Sequence, residues 1–224
     1  MRLLLIDTCG AVGTIALAEG EGQARVVAAE SLPGRSASER LVAVVREMMK
    51  AADWRLSELA AIVVVHGPGS FTGVRVGLSA AKGLSEASGA GLIAVSRLAL
   101  LAAAAGDVAG KVCALLDAGR GEFYCGIYAG KRYVRETLIN GEEVAVAATD
   151  ASAMVVCEAG VAKALECLMP RVVAEPTAGD ALPFAMERIA AGEFDDVATV
   201  DANYLRRTDA EIFAKPTISA KAAK

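Results

Sequence analysis

The chain has 224 residues, 54% hydrophobic and 22% charged, enough apolar material for one large core or two small ones. Its net charge is −4, its isoelectric point is near 5.2 and aromatics make up only 4%. That argues against a stand-alone nucleic-acid binder, which needs a basic face and stacking rings. No apolar run approaches the roughly 18 residues of a membrane helix, and the apolar run at the start is too short for a signal peptide. The five cysteines (Cys9, Cys113, Cys125, Cys157 and Cys167) are odd in number and form no CxxC pair. They read as buried thiols of a reducing compartment, and the expectation is a cytoplasmic protein without membrane contact.

Residues 3–6 predict a strand ending at Asp7-Thr8, and residues 13–18 and 23–30 predict two more, with Gly20 and Gly22 in the turn between them. Ser36 and Glu39 have the spacing of a capping box. The helix that follows carries an apolar stripe of Leu41, Val44, Val45, Met48, Met49 and Ala52. Such a stripe is first of all a core face, although two methionines also suit an adaptable partner surface.

Residues 61–65 predict a buried strand, broken by Gly67, Pro68 and Gly69, after which Ser70 can cap a helix. Along that helix Gly73, Gly77 and Ala81 recur every four residues and share one face, with Val74 and Leu78 beside them. Glycine weakens a helix by about 1 kcal/mol relative to alanine, so this face predicts a very close neighbour. A strand, a glycine turn and a helix N-terminus can cradle a phosphate. They can also be only a structural loop under a packing helix. Neither a Walker A Lys-Ser/Thr pair nor GxGxxG is present, so the structural reading of Gly67, Pro68, Gly69 and Ser70 is preferred.

Gly89 and Gly91 end that helix. Residues 92–95 predict a strand, and Ser96 caps an alanine- and leucine-rich helix running to Gly106. The second half opens the same way, with strands at 111–116, 122–128 and 131–138. A strand at 154–157, a helix at 161–168, a short strand at 171–174 and a helix at 180–191 follow. Three strands followed by alternating helices, twice over, predict two copies of one unit. Asp7 and Asp117 fall at matching points, the ends of the two first strands. The expected organisation is residues 1–106 and 107–199 as two subdomains, each a mixed sheet flanked by helices. A helix over 200–214 is expected to pack back on the first subdomain, and 215–224 to be a disordered tail.

In that repeat Asp7-Thr8-Cys9-Gly10 and Asp117-Ala118-Gly119-Arg120-Gly121 resemble worn versions of the two acidic hairpins that flank the nucleotide cleft of the actin, sugar-kinase and heat-shock ATPase fold. The plain reading of each aspartate is an Asx turn capping local N–H groups.

Several segments together resemble one family. They are Leu5-Ile6-Asp7-Thr8, Ser38-Glu39-Arg40-Leu41, Gly67 through Arg75 (GPGSFTGVR), Asp117-Ala118 with Gly121-Glu122-Phe123-Tyr124, and Tyr204-Leu205-Arg206. The chain is similar to the TsaB (YeaZ) family of bacterial tRNA threonylcarbamoyladenosine biosynthesis. The resemblance is strong to about Tyr128, faint from 130 to 200, and returns at Tyr204. It implies an actin-like, ribonuclease H-like α/β fold and a non-catalytic role without cofactor. The family's members pair with the catalytic paralogue TsaD, and the ATPase TsaE joins them. The product is a threonylcarbamoyl group on the adenosine beside the anticodon of tRNAs reading codons that start with A. The helices after Ser36 and after Gly69 would form the dimer face, through Leu41, Val44, Val45, Met48, Gly73, Val74, Gly77, Leu78 and Ala81. Homodimerisation of the free chain stays open, and tRNA would be met only through the complex.

The catalytic paralogue holds a metal on two histidines four residues apart. The matching positions here are Ala37 and Leu41, neither of which can ligate one, so no metal site is expected. His66, the sole histidine, reads as a structural turn residue. Three enzyme readings compete. A nucleotide-dependent phosphotransferase of the actin-like class is weakened by Thr8 and Cys9 where a phosphate turn wants glycine. A metallopeptidase lacks HExxH, and a Ser-His-Asp hydrolase lacks GxSxG.

Overall fold

The computed structural model describes residues 1–20, 22–33 and 37–206. β1 (Arg2–Asp7) is the centre of the first sheet and is buried over all but its first residue, as its unbroken apolar run requires. β2 (Val12–Glu19) and β3 (Arg25–Pro33) add to one side of it antiparallel. β4 (Leu59–Val65) and β5 (Gly91–Val95) add to the other side parallel, giving the order β3-β2-β1-β4-β5. The second sheet repeats this: β6 (Lys111–Gly119) is central, β7 (Glu122–Ala129) and β8 (Arg132–Asn140) are antiparallel, β9 (Ala153–Val156) and β10 (Arg171–Val172) parallel. The predicted repeat is therefore present strand for strand.

α1 (Ala37–Ala51) and α2 (Phe71–Ser88) cover one face of the first sheet through Leu41, Val44, Val45, Met48, Met49, Leu78 and Ala81, packed on Leu4, Ile6, Ile15 and Ile62. Ser70 caps α2 by accepting the Gly73 N–H, and Gly89 closes it in the left-handed conformation. Ser36, the expected cap of α1, lies outside the described residues.

The inner layer departs from the expected boundaries. α3 (Arg97–Ala103) is buried from Arg97 to Ala102; it lays Leu98, Leu101 and Ala102 on Val112, Ala114 and Leu116 of the second sheet and Leu100 among Leu3, Leu5 and Val63 of the first. α6 (Leu182–Ala190) and the 3₁₀ turn Ala178–Ala181 before it pack Leu182 and Ala185 against Leu3, Leu5 and Val63 of the first sheet. Boundaries at 106/107 and 199/200 cut through this inner layer, because α3 packs between the two sheets and α6 packs on the sheet of the other half. Outside the second sheet stand α4 (Gly141–Thr149) and α5 (Ala159–Ala164). The sequence predicts no element at α4. Its signal was the capping box of Asn140 and Glu143, in which Asn140 Oδ1 accepts the N–H groups of Glu142 and Glu143 and Glu143 accepts that of Asn140.

Residues 194–206 form an extended strap rather than the expected helix; 207–214 and the tail lie outside the described residues. The strap does pack back on the first half. Asp195 bridges Leu92 O, Ala94 N–H and Arg188, Lys82 Nζ donates to Val200 O at 3.0 Å, and Tyr204 stacks beside Phe71. It then crosses to the second half, where Asn203 donates to Glu136 and Arg206 to Glu122 and to Gly119 O. Glu136 also accepts from Ser96 and Tyr128, so one carboxylate ties strap, α3 and β7 together.

The close neighbour of the small-residue face is the end of β1. A Cβ on Gly73 would overlap the Thr8 carbonyl oxygen, and one on Gly77 would overlap Thr8 Oγ1. Gly83 of the same helix has nothing within 4 Å. Overpacking costs about 1–3 kcal/mol or more, and each kcal/mol is worth about 2–4 °C in a chain of this size. Gly73→Ala is expected to lower Tm by roughly 5–10 °C on that scale. Gly83→Ala should raise it by ~1–4 °C, through the helix propensity regained. Thermal melts of the two variants test whether β1, and not a second chain, is what α2 approaches.

Candidate functional site

A cleft of about 910 Å³ separates the two halves at the ends of β1 and β6. The first half contributes Thr8, Cys9, Gly10, Ser70, Thr72 and Arg97, the second Leu116, Asp117, Glu158 and Glu175. Both first strands end in the Asx turn expected from their aspartates. Asp7 Oδ1 accepts the Cys9 N–H at 2.8 Å, and Asp117 Oδ1 accepts the Gly119 N–H at 2.7 Å. The Asp117 N–H donates to Glu158 at 2.7 Å.

The first hairpin is filled from within. Thr8 Oγ1 donates to Gly73 O at 2.6 Å, the Ser70 N–H to Cys9 O at 2.8 Å, and Cys9 Sγ to Val65 O at 3.1 Å. Gly67 takes a positive φ of 107°, its peptide with Pro68 is cis, and its carbonyl accepts the Arg97 N–H at 2.7 Å. Gly67, Pro68, Gly69 and Ser70 thus serve as a loop that fixes the starts of α2 and α3, and Gly69, Ser70 and Gly73 also line the cleft.

Arg97 is 3% exposed, and its guanidinium donates to Glu175. A Cβ on Gly10 would overlap the Glu175 carboxylate and approach Arg97 Nη2 to 2.7 Å. Burial raises the Asp7 carboxyl above its ordinary value, with the Arg97 charge opposing. Burial also pushes the Cys9 thiol well up, and the Cys157 thiol to about 11, which disfavours the thiolate of each at neutral pH. Glu158 is raised, again by burial, with the Asp117 N–H opposing.

His66 Nδ1 lies 3.0 Å from Asp201 O, and its carbonyl accepts the Asn203 N–H at 2.8 Å. It anchors the strap. Leu41 is buried in the core. Among the described residues no three His, Cys, Asp or Glu side chains converge as a metal site would require.

The residues expected at a partner face pack inside this chain. Leu41, Val44, Val45, Met48, Val74, Gly77, Leu78 and Ala81 are all buried within the chain, and Gly73 lies against Thr8. Periodicity marks the side of a helix that leaves water and does not say what covers it. Here it is the chain's own sheet.

Arg97 and Glu175 were not singled out from the sequence. One follows a cap residue and the other lies between short elements, and neither sits in a periodic pattern.

A family model described as TsaD: tRNA N6-adenosine threonylcarbamoyltransferase matches residues 31–156, more than half of the chain. The structure described as YeaZ from Pseudomonas aeruginosa is 32% identical, with a TM-score of 0.75 over 91% of this chain and 99% of that one. The chain belongs to the TsaB (YeaZ) family. Two curated relatives are named tRNA threonylcarbamoyladenosine biosynthesis protein TsaB. That of Bacillus subtilis is 34% identical over 149 residues, 66% of this chain and 63% of its own length. That of Escherichia coli is 34% identical over 130 residues, 57% of this chain and 55% of its own length. The match thus spans less than two thirds of either relative. The YeaZ structure shares this fold of two repeated mixed sheets flanked by helices, and the likeness continues through the second half, where the sequence resemblance was faint.

Because its folded-state value is raised, Asp7 favours folding most when protonated. That contribution is full below the unfolded value near 3.8 and is lost as pH rises through the folded value. Asp7→Asn keeps an acceptor for Cys9 and removes the titration. The Tm of Asp7→Asn minus that of the wild type should therefore increase from pH 4 upward. A flat difference between pH 4 and 8 would show that Asp7 does not titrate abnormally.

Proposed function

We propose that this chain is a non-catalytic subunit in tRNA threonylcarbamoyladenosine formation, the pathway named for its curated relatives. In this reading it dimerises with a TsaD-like catalytic paralogue and helps recruit a TsaE-like ATPase. The assembly adds the threonylcarbamoyl group to the adenosine next to the anticodon. The observation that carries the reading is the first hairpin. Where an actin-like ATPase needs an open phosphate turn, Asp7, Thr8 and Cys9 are each bonded to this chain's own backbone. The net charge of −4 fits tRNA contact made mainly by other subunits, in the cytoplasm.

With the inner stripes of α1 and α2 covered, the partner face passes to their outer surface. Val42 is 58% exposed there, beside an apolar groove of about 390 Å³ lined by Val45, Met49, Trp54 and Leu84 and rimmed by Arg46, Lys50 and Arg55. Val42→Asp adds a charge at that surface without touching the core. It should weaken co-elution with the TsaD-like paralogue by about tenfold or more, as expected for a charge buried without a partner, and leave Tm within a few degrees of wild type. Reconstituted tRNA modification should fall in parallel. Full activity and full co-elution of Val42→Asp would place the partner elsewhere. ATP hydrolysis by the isolated chain that Asp7→Ala abolishes would overturn the non-catalytic assignment.

A further inference from the structure

Arg97 is the one described charged side chain buried at the cleft wall with an orphan donor. It is 3% exposed, it lines the cleft, and its Nε has no hydrogen-bond partner among the described residues. A buried guanidinium requires an anionic partner, because leaving the charge unpaired is far costlier than the pair is favourable. Its hydrogen-bonded partner is Glu175, and the two sides of that pair are unequal. The Arg97 side chain is 3% exposed and that of Glu175 44%. Glu175 comes from the segment between β10 and the 3₁₀ turn at Ala178, reaching across the cleft until its carboxylate stands against Gly10. Only a glycine there leaves room for an oxyanion and the guanidinium together. The N-terminus of α2, an 18-residue helix, opens into the same cleft at Ser70 and Thr72, so its dipole favours negative charge from a second direction.

We propose that Arg97, Gly10 and the α2 N-terminus form a seat for one oxyanion, a carboxylate or a phosphate, which Glu175 fills in cis. An incoming ligand gains access by displacing a half-exposed side chain into water and leaves the buried arginine paired throughout. Asp7, buried close to Arg97, and Asp117 and Glu158 on the opposite wall limit the negative charge the cleft accepts. The seat therefore suits a singly or doubly charged oxyanion and disfavours a nucleoside triphosphate. This site does not depend on pairing with a transferase paralogue, so it can be tested on the isolated chain.

Glu175→Gln removes the competing charge while keeping the side chain's size. Without added anion its Tm should lie below that of the wild type. Inorganic phosphate should restore it, where chloride at the same ionic strength does not, because only a ligand that binds the folded state stabilises it by mass action. By calorimetry the variant should bind phosphate about tenfold or more tighter than the wild type does. Acetate tests the carboxylate source and ATP the charge limit: acetate should also stabilise Glu175→Gln, and ATP should do so less than phosphate. Glu175→Gln combined with Arg97→Gln should lose the response. Glu175→Asp, whose carboxylate is one methylene further back, should respond between wild type and Glu175→Gln, and it serves if Glu175→Gln does not fold. Equal phosphate affinity in wild type and Glu175→Gln, or a response that survives loss of Arg97, would overturn the seat.

Discussion

The rest of this structure depends on the contact between the end of β1 and the first turns of α2. Thr8 is held by its carbonyl and its hydroxyl against Gly73 and Gly77, and no side chain fits between them. That approach sets the height of α2 over the sheet and so the seating of its apolar residues. It also fixes the first hairpin, because Thr8 Oγ1 donates to Gly73 O and the Cys9 carbonyl accepts the Ser70 N–H. The floor of the cleft is consequently a packed joint. A nucleotide-binding actin-like protein needs backbone N–H groups free at this point. Here the Cys9 N–H is taken by Asp7 and the Cys9 carbonyl by Ser70.

Charge in the cleft follows from the same joint. With the hairpin tied to α2, Asp7 is 2% exposed and Arg97 3%, and each compensates part of the other's loss of water. The Asp7 carboxyl still ends above its ordinary value, so its loss of solvent outweighs its attraction to the arginine. Glu175 supplies what the pair lacks from the solvent side. The arrangement is held by geometry that a small change at Gly10 would destroy.

Most of the architecture was legible in the sequence because it rests on local signals. The apolar runs marked every strand of both sheets, the glycines marked α2 and its end, and the two aspartates marked equivalent turns. What could not be read depends on tertiary partners. Periodicity identified the stripe Leu41, Val44, Val45 and Met48 but not that a sheet of the same chain covers it. The alanine-rich α3 gave no sign of which sheet it would join. The capping box at Asn140 was present, yet α4 has few large apolar residues and its stripe is weak. Arg97 and Glu175 meet across 78 residues of sequence, and no spacing rule connects such a pair.

The exchange of inner helices has a consequence for how the chain comes to be folded. The first sheet has all five of its strands by Val95, yet one of its faces, where Leu100 of α3 also packs, is fully covered only once Leu182–Ala190 has been made. At about 5–20 residues per second of synthesis, that leaves Leu3, Leu5, Val63 and their neighbours facing water for some 5–20 s after β5 is complete. During that time the nascent chain presents a wide apolar sheet surface on the ribosome, the kind of surface that holdase chaperones recognise and that promotes association between chains. Neither half can bury both faces of its sheet by itself, in spite of their near-identical plan.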